Sequence, residues 1–226
     1  MISSSSLGSH TEVDSLQTEN AMGRRIQEEM ALSILRCICE ASKPLLWLKD
    51  EDPLFTLVPS LRKPIGAAFD TVSAFPHALA CLQRKLCSTY DWALRESIVG
   101  TGVQHMSSRC GKRTAQKGRK YSLEYAKKRR DLFFSHAQRI CSSRSFSRSE
   151  LFQLAGVFID YLDWGEFTLE NPRGQAMSLL LEAVELLDAT RRKNDKSICA
   201  EVGDVLFNLL VFSMSVGMNS ESFDGL

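Results

Sequence analysis

Two apolar runs, "LLEAVELLDA" at 180–189 and "AEVGDVLFNLL" at 200–210, are separated by ten residues that contain the basic turn "RRKNDKS". In both runs Leu, Val and Ala recur at steps of three and four, the period of a helix with one buried face. The spacing predicts helices over 174–191 and 196–216, with Gly217 closing the second. A connection this short makes the two helices antiparallel neighbours. An apolar-periodic run, "ELFQLAGVFIDYL", supplies a further helix before them, and this region has no strand alternation. The expected fold class is therefore all-α, a short antiparallel helical bundle.

Each helix of the pair carries two acids three residues apart, Glu182 with Glu185 and Glu201 with Asp204. Residues three apart lie about 60° apart around a helix axis and one turn along it. Each pair thus shares a face, and antiparallel packing can bring the two pairs together. Four converging carboxylates would repel one another and resist desolvation. A hard divalent cation such as magnesium removes that objection and commonly bridges carboxylates to phosphates. The spacing therefore proposes a magnesium–polyphosphate site. The alternative is that all four acids form the solvent face of two amphipathic helices.

The rest of the chain is less regular. Residues 1–23 are polar and Ser-rich and read as a disordered tail. Residues 24–48 have helical periodicity through Ile26, Met30, Leu32, Ile34, Leu35 and Ile38. Prolines 44, 53, 59, 64 and 76 then favour short elements, and two short helices are expected at 77–87 and 89–98. Residues 24–140 form an uncharacterised, mostly helical region. Within it, 109–130 carry ten Lys or Arg, which reads either as a solvated linker and helix face or as a nucleic-acid or targeting patch. The Ser/Arg-rich stretch 141–149 is the expected boundary before a domain at 147–226.

Net charge is +1, so the chain as a whole is not polarised toward nucleic acid. The seven cysteines form no Cys-x-x-Cys pair and follow no secretory signal, which favours free thiols in a reducing compartment. Four scattered histidines give no zinc-ligand spacing. The best membrane-span candidate, 30–48, is broken by Arg36, Glu40 and Lys43, so no bilayer-spanning segment is expected. Glu12, Asp14 and Glu19 argue against a transit peptide. The expected location is cytoplasmic, with nucleus and organelles left open.

The paired acids in "LLLEAVELLDA … AEVGDVLFNLLVF" resemble the signature of the MazG-like all-α nucleoside triphosphate pyrophosphatases. Upstream, Asp163, Trp164, Phe167, Pro172 and Arg173 of "DWGEFTLENPRG" resemble a segment of the dCTP pyrophosphatase branch. The resemblance covers about 147–218. It implies that Glu182, Glu185, Glu201 and Asp204 hold magnesium, that Trp164 and Phe167 line a nucleobase pocket, and that Arg173 contacts phosphate. The implied reaction is hydrolysis of a (deoxy)nucleoside triphosphate, dCTP-like, to monophosphate and pyrophosphate, with Glu182 or Glu185 as the base. The implied assembly is a homo-oligomer, dimer or tetramer. Two features depart from the family pattern. Thr168 follows Phe167 where the dCTP branch usually has His, and a Lys-bearing fourth helix has no counterpart after Gly217. The second departure leads to an expectation of weak hydrolysis, or of a partner that supplies the helix. The competing expectations are a catalytically inactive helical interaction module and, less favoured, nucleic-acid binding through 109–130.

Overall fold

The structure, a computed structural model, describes residues 9–47, 56–99, 131, 135, 147–162 and 171–219. Its six principal helices are α1 Ser9–Trp47, α2 Val58–Ser73, α3 Ala78–Val99, α4 Arg148–Leu162, α5 Pro172–Arg192 and α6 Asp195–Ser215. Among the described residues there are no strands, in agreement with the all-α expectation. The basic stretch 109–130, with its expected patch, lies outside the described residues.

The ends of α5 and α6 follow from local chemistry. Asn171 caps α5 by accepting from the Gly174 N–H, and Pro172 takes the first turn, where a missing N–H costs nothing. At the far end Lys193 adopts a left-handed conformation, and the N–H groups of Lys193 and Asn194 return to the carbonyls of Thr190 and Ala189. Asn194 then caps α6 through the Ser197 N–H. One short turn thus closes one helix and opens the next, giving the expected antiparallel pair. Gly217, at φ 84°, ends α6 as expected, with the Gly217 and Met218 N–H groups bonded to Met214 and Ser213 carbonyls. Helix α4 begins in a capping box: Glu150 accepts from the Ser147 N–H while the Ser147 hydroxyl accepts from the Glu150 N–H.

Upstream, the structure departs from the sequence reading in several places. Helix α1 starts at Ser9, inside the stretch read as a tail. Of the residues that carried its periodicity, Ile34 and Ile38 are fully buried in line with Ala31, Ala41 and Leu45, whereas Ile26 is exposed. Helix α2 runs through Pro59 and Pro64. Pro59 stands in the first turn, and the stripe Leu61, Ile65, Ala68, Phe69 and Val72 buries enough apolar surface to hold the helix past Pro64. Helix α3 is continuous where two short helices were expected.

A single apolar core contains residues from all six helices, on both sides of the expected boundary at 141–149. Helix α6 lies at its centre, against α2, α3, α4 and α5, while α1 covers α5 and α2. Phe158 of α4 meets Phe207 of α6 edge to face, with ring centroids 5.4 Å apart. This central position explains one correction. By length and composition α6 is apolar enough to cross a membrane, contrary to the sequence reading, but more than half of it is buried inside the protein.

Helix α3 lies close against α6 at Gly203. A β-carbon there would lie 2.6 Å from the Cys81 carbonyl oxygen and 3.3 Å from the Lys85 β-carbon. Alanine normally stabilises a helix interior relative to glycine by about 1 kcal/mol. At this contact the clash with backbone opposes that gain. Gly203→Ala is expected to lower stability by about 1–3 kcal/mol, as overpacking does, measured by chemical denaturation. An equally stable or more stable variant would show that α3 does not sit this close.

Candidate metal centre

The antiparallel turn brings α5 and α6 into the register that the spacing of the acids required. Carboxylate oxygens of Glu182, Glu201 and Asp204 lie within 4.8 Å of one another, and all three side chains are partly buried. Glu185, one turn along α5, is exposed and stands outside this group. Its charge still acts on Glu182 and Glu201. Asn208, one turn beyond Asp204, donates its amide to Glu182 at 3.4 Å and to the Asp204 carbonyl at 3.0 Å.

The electrostatics are those of anions forced together. Burial, and next the charge of Asp204, push the Glu182 carboxyl up to about 7. The same two causes raise Glu201. Lys85 of α3 opposes both shifts, and its Nζ is 2.6 Å from Asp204 Oδ1. Sequence reasoning missed Lys85 because nothing local marks it. It belongs to this site only because α3 folds back onto α6.

The other expected residues lie elsewhere. Arg173, in the first turn of α5, donates from Nε to the Leu45 carbonyl near the end of α1, 3.1 Å away. Nine residues separate it from Glu182, about 13 Å along a helix axis. Arg191 pairs with Glu28 of α1 at 2.9 Å and Arg192 with Asp188 at 2.8 Å. Trp164 and Phe167 lie outside the described residues.

Beside the site, Cys81 of α3 and Cys199 of α6 form a disulfide, with Cα atoms 5.4 Å apart. This corrects the expectation of free thiols for these two residues, while Cys37 and Cys39 do carry free thiols. The two residues are 118 apart in sequence, and only the packing of α3 on α6 brings them together.

Three oxygen donors from two helices, brought within 4.8 Å of one another so that burial and mutual repulsion raise Glu182 and Glu201, suit a hard divalent ion. Residues 172–224, which contain all three acids, match the family model of the MazG nucleotide pyrophosphohydrolase domain. That match supports a MazG-like reading of the α5–α6 hairpin; Lys85 lies outside the matched segment. No curated protein and no solved structure matches the chain.

Glu182 sets a pH dependence whose sign is fixed. Its folded pKa exceeds the usual value of 4.5, so its contribution to stability is full below about 4.5 and is lost as pH rises through about 7. In EDTA the protein should melt lower at pH 8 than at pH 5.5. Glu182→Gln should reduce that difference and raise the melting temperature at pH 8. Magnesium at 100 times its Kd should restore about 2.7 kcal/mol to the unsubstituted protein at pH 8. It should restore nothing to the doubly substituted Glu201→Gln, Asp204→Asn variant.

Proposed function

We propose that the hairpin formed by α5 and α6 is the core of a magnesium-dependent nucleoside triphosphate pyrophosphohydrolase. The observation that carries this reading is the convergence of Glu182, Glu201 and Asp204 inside the segment that matches the MazG domain. Magnesium held by these acids supplies charge neutralisation for the triphosphate and activation of water. The water oxygen bonds to the α-phosphorus, the bond from that phosphorus to the α–β bridging oxygen breaks, and pyrophosphate leaves. Glu182 is better placed than the exposed Glu185 to accept the water's proton, because it belongs to the cluster and its carboxyl, pushed up to about 7 by burial and the charge of Asp204, is in its ionised form a stronger base than an ordinary glutamate. A dCTP-like base, lodged against Trp164 and Phe167, is the substrate proposed from the resemblance of 163–173.

Pyrophosphate release, screened over the common NTPs and dNTPs with and without magnesium, tests this function. Magnesium-dependent release from at least one nucleotide is expected, with Glu201→Gln and Asp204→Asn each lowering it by at least a hundredfold. Release that needs no divalent ion, or that survives both substitutions, would refute the site. The ion pair between Lys85 and Asp204 favours a second reading, in which the cluster is a structural junction of an inactive interaction module. That reading expects no turnover and no thermal shift with magnesium.

A homo-oligomer is also proposed. Met177, Leu181 and Val184 form an exposed apolar stripe on α5, at steps of four and three. Replacing Leu181 and Val184 with Glu should convert a dimer or tetramer to monomer in sedimentation runs, with magnesium binding retained. A chain already monomeric at tens of micromolar would exclude this assembly.

A further inference from the structure

Several restraints place Lys85. Leu82 and Leu86 on either side of it are buried in the core. Cys81, one turn earlier, is bonded to Cys199. Gly203, next to Asp204, leaves room for the α3 backbone and for the Lys85 β-carbon itself. The ammonium is thus delivered to the carboxylates by a rigid element, yet the Lys85 side chain remains 28% exposed and is reachable from solvent.

Charge counting shows what a cation here can do. Three ionised carboxylates and one ammonium leave two negative charges, which one divalent ion cancels. A triphosphate then brings further negative charge to the same place. The arginines of α5 are engaged elsewhere, Arg173 with the Leu45 carbonyl, Arg191 with Glu28 and Arg192 with Asp188. Among the described residues, Lys85 is the cation whose charge acts on Glu182 and Glu201. An ammonium has three donors, and a single carboxylate oxygen occupies only one of them at Asp204.

We propose that Lys85, carried to the carboxylate cluster by α3, is a substrate-binding residue that contacts a phosphate of the bound nucleotide. In the free protein it pairs with Asp204. With magnesium and nucleotide present, its ammonium is shared with a phosphate oxygen. The inference rests on the pyrophosphohydrolase reading and extends the site beyond the segment that matches the family model, to a helix of the N-terminal region.

Titration calorimetry on the full chain tests it, first with magnesium alone and then, at saturating magnesium, with the α,β-imido analogues of the common NTPs and dNTPs. Lys85→Gln should weaken binding of the preferred analogue at least tenfold, the worth of one charge-assisted hydrogen bond. Its affinity for magnesium alone should be unchanged or higher, because a competing cation is gone. Lys85→Arg should recover most of the loss, and Lys63→Gln, on the exposed surface of α2, should show none. Analogue affinity within twofold of the unsubstituted protein in Lys85→Gln would overturn the inference and leave the pyrophosphohydrolase reading intact. Equal losses of magnesium and analogue affinity would also overturn it, since Lys85 would then act only by organising the carboxylates. If the unsubstituted protein binds magnesium but none of the analogues, the reading and the inference fall together.

Discussion

Helix α6 is apolar around nearly its whole circumference, and that one property dictates the arrangement of the rest. From Val202 to Ser213 only Asp204 and Asn208 escape full burial. A helix of this kind must be covered on several sides before it is stable in water. Helices α2, α3, α4 and α5 provide the cover. Glu201, Asp204 and Asn208 lie at three- and four-residue steps and so form the one polar stripe on α6, against which Glu182 and Lys85 are brought. The same packing that makes the core therefore makes the site, and the site's charges are close because the core leaves them nowhere else to go.

The cost of that closeness is visible in the raised carboxyls of Glu182 and Glu201. A buried structural ion pair would be expected to balance its charges. Here one ammonium faces three acids, and the imbalance is what the proposed metal site would answer. Among the described residues Lys85 is the cation that offsets part of the repulsion, and the negative charge it leaves matches a divalent ion in sign.

The local features were legible in the sequence and the long-range ones were not. The α5–α6 hairpin, its turn and three of its four acids could be read from the spacing of Leu, Val, Glu and Asp over a few turns. Glu185 could not be separated from the others, because a three-residue step puts two acids on one face without saying which of them reaches the neighbouring helix. Helix α2 was obscured by its prolines, since a proline count does not weigh the stripe from Leu61 to Val72 against them. Lys85 and the pair Cys81–Cys199 were invisible for a different reason. Both depend on α3 returning to α6 across more than a hundred residues, and no periodicity encodes a return of that length.

The bond between Cys81 and Cys199, 118 apart in sequence, turns the chain between them into a closed covalent loop. A single break in the backbone anywhere inside that loop would leave two pieces still joined, one carrying α1, α2 and Lys85's neighbour Cys81, the other carrying α6. After a cut beyond Lys85 the N-terminal piece would keep that lysine covalently tethered to α6, until the disulfide is reduced.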